Sequence, residues 1–333
     1  MSEVRLFPKE AFRLACQILE NHDTARENAC CVSRALVAAE CAGQTGHGLS
    51  RLPSYSAQSA SGKVDGQAKP VIVDRTSAGI RIDAANGFAF PACALAVRQL
   101  GTLARDTGIA AAAIFRSHHF GQAGYHVEML ADEGLVGLAF GNSPKAIAPW
   151  GGRHAVFGTN PLAFAAPRPG HAPLVVDFGL GKAARGKVML AAENEEPIPE
   201  GWALDDAGRP TTDARAALAG TLLPMGGAKG AALALVVEVL SAILTGAQCG
   251  HEASSFFSPE GRPPGVGQFL IAVDAAFFSG QTFGPRLDSL LTAILDQEGV
   301  RLPGTRRLEA RRQAAAHGLR IPDTLYQKLK MLA

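Results

Sequence analysis

The chain has 333 residues, 47% of them hydrophobic and 19% charged, with a formal net charge of +2 at pH 7. That length holds one large domain or roughly two to three smaller ones, and that composition builds a core rather than a disordered chain. So small a net charge gives no reason to expect nucleic acid or an anionic membrane as partner. The six cysteines, Cys16, Cys30, Cys31, Cys41, Cys93 and Cys249, form no C-x-x-C pair, so neither a zinc knuckle nor a disulfide framework is expected. The N-terminal stretch M-S-E-V-R-L-F-P-K-E carries no apolar h-region, and no apolar run reaches about 18 residues. A soluble, reduced, cytoplasmic protein is the expectation.

Pro8 stands where the first residues of helices stand, and residues 11–21 carry apolar side chains at helical spacing. Thr24 and Glu27 read as a capping box that opens a second helix, with Val32, Leu36 and Val37 on its buried face. Residues 43–53, G-Q-T-G-H-G-L-S-R-L-P, hold three glycines and a proline, which forbid regular structure and let backbone approach a ligand. His47, Ser50 and Arg51 are the polar groups this loop presents. A helix over 54–63, a strand over 79–83 and an amphipathic helix over 91–107 follow.

Residues 109–115 read as a buried strand that opens into R-S-H-H-F-G-Q-A-G-Y-H at 116–126, ahead of a helix over 125–131. His118, His119 and His126, with Gly121 and Gly124 among them, thus follow a strand end, a common way to bring polar side chains and bare amides to a ligand. Short strands are expected at 135–140 and 174–178, with a further short apolar run at 162–166, among G-N-S-P, A-P-W-G-G and F-G-T-N-P turns. Residues 191–213, polar and containing Pro197, Pro199 and Pro210, read as an irregular surface excursion. G-G-A-K-G at 226–230 opens a helix to about Leu244 that is apolar nearly all round and is expected to be the central buried helix. A strand over 268–274, a helix over 287–297, a basic loop V-R-L-P-G-T-R-R at 300–307 and two helical segments complete the chain.

Several of these segments carry chemistry. Residues 179–184, G-L-G-K-A-A, fit the G-x-G-x-x-A dinucleotide pattern, but Arg185, Gly186 and Lys187 are expected to break the helix that pattern requires, so no Rossmann phosphate loop is expected. His47 can exchange a proton near neutral pH, and Arg51, four residues on, can clamp a carboxylate with two parallel hydrogen bonds. Together they are the minimal parts for reducing a 2-oxo acid; alone, Arg51 equally suits a surface salt bridge. His118 and His119 have no nearby acid or cysteine to complete a metal set, so no metal is expected. The basic loop at 302–307 suits either a solvated face or a phosphate group. No G-x-S-x-G elbow is present, which argues against a serine hydrolase.

The segments H-G-L-S-R-L-P at 47–53, S-H-H-F-G-Q-A-G at 117–124, A-P-W-G-G at 148–152, F-G-T-N-P at 157–161, A-R-G-K-V at 184–188, G-G-A-K-G at 226–230 and L-P-G-T-R-R at 302–307, in this order, resemble the malate/L-lactate dehydrogenase family of non-Rossmann type. That family includes sulfolactate, ureidoglycolate and diketogulonate enzymes and the Δ1-piperideine-2-carboxylate and Δ1-pyrroline-2-carboxylate reductases. The resemblance implies an α/β fold with a mainly antiparallel sheet in the cofactor-binding part and helical N- and C-terminal segments. Residues 1–75 would pack with 285–333, and 76–284 would form the NAD(P)-binding domain. It further implies a homodimer, NADP or NAD as cofactor with NADPH preferred, and a small carboxylate substrate. By the same resemblance His47 is the proton donor, Arg51 the carboxylate clamp and Thr159 a substrate-side hydroxyl donor. His119, Phe120 and Gly121 belong to the nicotinamide pocket, with His119 also a catalytic candidate. Asn142 and Asp177 line the cofactor site, and Gly304, Arg306 and Arg307 hold the adenosine phosphate end.

Two departures bear on the substrate. Gly46 stands where many members have serine, and Lys187 stands where the ketimine reductases have an acid. Residues 224–235 and 252–257 resemble the ketimine and sulfolactate branches equally. The preferred reading is hydride transfer between nicotinamide and a 2-hydroxy/2-oxo acid of malate, lactate or sulfolactate type, with cyclic ketimine reduction as the alternative.

Overall fold

The computed structural model describes residues 2–333. Its main sheet has seven strands in the spatial order Val71–Arg75, Gly79–Asp83, Ile109–Ser117, Val266–Asp274, Leu135–Gly141, Leu162–Ala166 and Leu174–Phe178. Only Gly79–Asp83 and Ile109–Ser117 pair in parallel; the other five pairs are antiparallel. The sheet is therefore mainly antiparallel, as expected from the resemblance.

Side chains alternate between the two faces of each strand, and each face carries its own core. On one face Leu270, Ala272, Ala112, Ile114 and Ile82 meet helices Ala89–Thr107 and Ala123–Asp132 through Ala96, Leu100, Val127 and Leu130. On the other, Leu138, Phe140, Phe269 and Ile271 meet Ala234 and Val237 of helix Ala228–Glu238. The many alanines let helix and sheet backbones lie close. A further core joins the helices Pro8–Glu20 and Arg26–Cys41 to Leu49, Tyr55, Leu319, Ile321 and Leu329. There Glu3–Leu6 pairs antiparallel with Leu319–Pro322, tying sequence-distant segments together.

Four expectations are corrected. Thr24 does not cap: its hydroxyl lies 2.9 Å from that of Ser59, and Ala25 stands at the cap position of Arg26–Cys41. Residues 185–187 do not break a helix but begin one, Arg185–Glu193. The Rossmann pattern fails for a different reason: Leu174–Phe178 is an antiparallel edge strand, so there is no parallel crossover for a βαβ unit. The excursion at 191–213 is partly ordered, since Ala203–Leu204, Pro210–Thr211 and Thr221–Leu222 form a small sheet. The apolar helix is not buried all round. It runs Ala228–Glu238 and continues as a π-type turn, Val239–Ile243, and Leu235, Val236, Val239, Ile243 and Leu244 are 44–60% exposed.

Candidate active site

The sheet register gathers the loops. Ser117 lies opposite Val266, Gln268 opposite Gly141, Phe140 opposite Leu162, and Leu162 opposite Phe178. The segments that follow Ser117, Gly141 and Phe178, and those that precede Leu162 and Val266, therefore leave the sheet at one end. His118 to Gln122, Asn142, Thr159 and the 250s loop converge there although more than a hundred residues of sequence separate them.

Arg116 turns the strand end with a φ of +49° and is paired with Asp83. Beyond Ser117, His118 and His119 find different partners, both on helix Leu52–Ala60. His118 Nε2 is 3.1 Å from Gln58 Oε1, and the Tyr55 hydroxyl is 2.5 Å from His119 Nδ1. Tyr55 is fully buried and its phenol is pushed up by desolvation, so it is a neutral donor and His119 Nδ1 the acceptor. Neither histidine is disposed as one of a ligand pair, and among the described residues no cluster of three His, Cys, Asp or Glu side chains converges.

The turn at 45–51 completes this group. The His47 ring stacks on that of His119, with centroids 5.3 Å apart and planes at 21°. Its Nδ1 is buried without a partner, and burial, then the Arg51 charge, lower its pKa to about 4. Arg51 donates from Nε to Gly46 O at 2.7 Å and lies 4.8 Å from the centroid of the Phe257 ring. Its Nη1 is buried without a partner, and among the described residues no carboxylate forms an ion pair with it. A buried guanidinium with a free donor is costly to keep unless an anion joins it. His47, Arg51 and His119, three of the four expected catalytic residues, are thus brought together.

Residues the sequence did not mark close the site. Phe256 packs on His118 and His119, with ring centroids 5.1 and 5.3 Å away. Its loop is held by Gln58 Nε2 donating to Phe256 O at 2.8 Å and by Lys63 Nζ donating to Ser255 O and Ser258 O at 2.7 and 2.8 Å. The F-F of 252–257 was visible as a family segment; nothing local in the sequence pointed to Tyr55, Gln58 or Lys63.

Thr159 lies in a neighbouring network rather than against the histidines. Its N–H donates to Ser143 Oγ at 3.0 Å, and the two hydroxyls are 3.3 Å apart. Beside it, buried Glu238 accepts from Asn160 Nδ2 at 2.7 Å, Gly250 N at 2.6 Å and Asn142 Nδ2 at 3.3 Å. Asn142 also donates to Gln248 O at 2.8 Å and accepts from Gly267 N at 2.9 Å. Its side chain, expected at the cofactor, is committed to joining two loops of the protein.

The expected phosphate end forms a separate cluster. Asp177 accepts from Gly124 N at 2.9 Å, with Arg307 Nη1 3.7 Å away, while Arg307 Nη2 donates to Val175 O at 2.6 Å. Burial raises the Asp177 carboxyl, and both of these neighbours oppose that. A Cβ at Gly124 would meet Arg307 Nη1 at 2.9 Å and Asp177 Oδ2 at 3.0 Å, so a larger residue there would have to push these side-chain ends aside. The basic loop is shorter than expected: Gly304, at φ +87°, caps the helix Thr305–His317. Consecutive helical residues diverge, so Arg307 turns inward and Arg306 is exposed. The two do not act as a pair.

Burial depresses four imidazoles: His118 to about 3, His47 and His126 to about 4, and His119 well below its ordinary value. The unfolded chain protonates its histidines near pH 6.5, so as pH falls below that value it gains protons that the native state refuses, and stability is lost. Each fully buried imidazole contributes about 1.4 kcal/mol per pH unit until its folded pKa is reached. Glu40, raised to about 7 by burial, opposes one of them over part of that range. Thermal denaturation of the ligand-free protein should show a falling melting temperature from pH 7 to 5; a flat or rising trend would contradict neutral, buried histidines.

Residues 7–330 match the family described as malate/L-lactate dehydrogenase. The chain is 53% identical over 327 residues to a (2R)-3-sulfolactate dehydrogenase (NADP(+)) of Chromohalobacter salexigens, covering 98% of this chain and 97% of that one. It superimposes on Δ1-piperideine-2-carboxylate reductase from Pseudomonas syringae with a TM-score of 0.94 at 39% identity, covering 99% of this chain and 100% of the other. It superimposes on sulfolactate dehydrogenase from Methanocaldococcus jannaschii with a TM-score of 0.91 at 32% identity, covering 99% and 96%. With this coverage and identity, the chain belongs to the malate/L-lactate dehydrogenase family of oxidoreductases.

Proposed function

We propose that the protein transfers a hydride between NAD(P)H and a small 2-oxo acid, with NADPH preferred and 3-sulfopyruvate/3-sulfolactate as the leading substrate pair. The observation that carries this reading is the half-buried, unneutralised Arg51 beside His47, with its Nη1 buried and unpaired. A substrate carboxylate would accept from the free Nη1. It would also cancel the positive charge that helps to depress His47, so the imidazole gains a proton as the acid binds. His47 then gives that proton to the carbonyl oxygen as the carbon receives hydride, which yields the 2-hydroxy acid. Tyr55 holds the His119 ring in place against that of His47, and Phe256 packs on His119.

A nicotinamide nucleotide fits the groups left without partners. Phe120 is buried behind Gly121, whose φ of +69° lets the backbone turn there, and the Gln122 amide is buried with both polar atoms unpaired. Asp177, Gly304 and Arg307 would hold the adenosine end, and exposed Arg306 is free for a 2′-phosphate. The bound nucleotide supplies the hydride. The ligand would lie where residues 1–75 and 285–333 meet the sheet, since His47 meets His119 and Arg307 meets Asp177.

Two features favour the hydroxyacid over the imine. Gly46 offers no hydroxyl to His47, and Lys187 is exposed on helix Arg185–Glu193, where an acid relay would need a carboxylate. The 53% identical relative is named for a hydroxyacid. The ketimine reading is favoured by the 39% identical reductase structure. Purified protein with NADPH and NADH should be assayed on oxaloacetate, pyruvate, 3-sulfopyruvate, Δ1-piperideine-2-carboxylate and Δ1-pyrroline-2-carboxylate. Turnover of an oxo acid is expected; turnover of the cyclic imines alone would reverse the assignment.

Two substitutions probe the roles. His47→Asn should lower oxo-acid reduction by about 10²–10⁴-fold, the usual range for a lost general acid. Full rate in that variant would move the proton donor to His119. Arg51→Lys keeps charge but not the fork, and should cost on the order of 2–4 kcal/mol, seen mainly as a raised KM. A wild-type KM would remove Arg51 from the carboxylate.

The same reading includes a cytoplasmic homodimer. It is supported by the exposed apolar face of residues 235–244, since monomers seldom leave so large a contiguous patch in water. A charge placed there by Val236→Asp should shift the sedimentation coefficient to that of a monomer. A monomeric wild-type protein at micromolar concentration would refute the dimer.

A further inference from the structure

Glu40 lies one residue before the end of helix Arg26–Cys41 and is 7% exposed. A carboxylate that deep is expected to have several donors or a cation. Its side-chain bond is to one backbone group, Leu49 N, at 2.8 Å, and burial raises the carboxyl to about 7 with only that bond opposing it. Among the described residues it forms no ion pair.

Leu49 lies in the turn between His47 and Arg51. The bonds inside that turn are local. His47 N donates to Gln44 O at 2.8 Å, Gly48 N to Thr45 O at 3.1 Å and Arg51 N to Gly48 O at 3.0 Å. Ser50 Oγ donates to Thr45 O at 2.6 Å and Arg51 Nε to Gly46 O at 2.7 Å. These bonds fix the shape of the turn; they do not fix where it sits on the molecule. The buried Leu49 side chain and the Glu40 bond to the Leu49 amide do. That bond is permitted by residue 48 having no side chain, because a Cβ there would lie 2.0 Å from Glu40 Oε2 and 3.2 Å from Glu40 Cα.

We propose that Glu40 is a positioning residue, which sets through the Leu49 amide where the turn holds His47 and Arg51. Gly48 is the paired requirement, since any larger residue displaces the carboxylate. The inference rests on His47 and Arg51 being the groups that meet the substrate. The turn must hold an unneutralised guanidinium and an imidazole at fixed places, and a backbone displacement of about 1 Å can cost on the order of 100-fold in rate. An oxygen acceptor is needed at residue 40; a negative charge is not, because one amide N–H is the only donor.

The test compares Glu40→Gln, Glu40→Leu, Glu40→Ala, Gly48→Ala and the Glu40→Ala/Gly48→Ala double variant. Each is measured for kcat and KM on the best oxo acid, and for NADPH affinity by fluorescence. Glu40→Gln keeps the acceptor and should stay within about threefold of wild type. Glu40→Leu and Gly48→Ala should raise KM and lower kcat, together on the order of 10- to 100-fold in kcat/KM, with NADPH affinity unchanged. The double variant should be no worse than Glu40→Ala, since the carboxylate that Cβ would strike has gone. Wild-type kinetics in Glu40→Leu, a parallel loss of NADPH affinity, or multiplying effects in the double variant would each overturn the proposal. If Glu40→Leu does not fold, Glu40→Gln and Gly48→Ala decide it by the same criteria. Arg51→Lys run alongside separates the two readings: a wild-type KM there refutes the clamp, while the Glu40 series is still read through kcat.

Discussion

The site depends on one uncompensated charge. Arg51 is half-buried, its Nη1 is buried without a partner, and no carboxylate pairs with it among the described residues. Its protein contacts are a carbonyl and an aromatic face, which hold a guanidinium in place without neutralising it. Such an arrangement weakens the free protein and is tolerated only where the rest of the fold over-determines it. The second core provides that support: Leu49 and Leu52, on either side of Arg51, are fully buried among residues from both chain termini. The pairing of Glu3–Leu6 with Leu319–Pro322 belongs to the same construction.

An antiparallel sheet solves a delivery problem that the Rossmann fold solves differently. In a parallel sheet one end collects every strand's C-terminus. Here the same end collects the ends of some strands and the beginnings of others, so four connections, from five strand ends, meet at it. The connections need fastening, because loops of this kind carry unpaired backbone groups. Glu238 fastens two of them with one carboxylate, holding both ends of the 142–161 connection and Gly250 of the loop before Val266. It projects inward from the segment whose outward residues, Leu235, Val236 and Val239, are exposed. One helix therefore ties the loops on one side and offers an apolar surface on the other.

What could be read in the sequence follows from the range of the interactions. Leu174–Phe178 matches the expected strand residue for residue, and the apolar run at 162–166 is the strand Leu162–Ala166, because apolar runs and flanking turns are local. Pro8 begins its helix as expected, and Glu10 accepts from Phe7 N in the role of a cap. Thr24 misled because its hydroxyl has a partner 35 residues away, which no local pattern shows. Glu40 and Glu238 resemble any helical acid until the fold buries them. An apolar helix surface reads the same whether it faces a core or another surface, so 228–244 was assigned to the wrong side of that choice. Motif order carried the family and hence His47, Arg51 and His119; it could not show that Arg306 and Arg307 part company or that Asn142 is already occupied.

The geometry also distinguishes among histidines that the sequence left equivalent. The Arg51 charge bears on His47, His118 and His119 alike, so an anion bound there relaxes all three. They do not respond equally. His119 has its Nδ1 engaged with the Tyr55 hydroxyl, so its proton count is tied to that fixed, neutral partner. His118 stays fully buried, bonded to Gln58 and also under the charge of Lys63. His47 has no other cation acting on it and keeps an unpaired Nδ1. It is the imidazole for which removal of one charge leaves only desolvation to oppose protonation, and a carboxylate beside it works against desolvation too. On the proposed reading, binding of the acid helps His47 to take up its proton, which would make Arg51 part of the proton-transfer apparatus as well as the clamp.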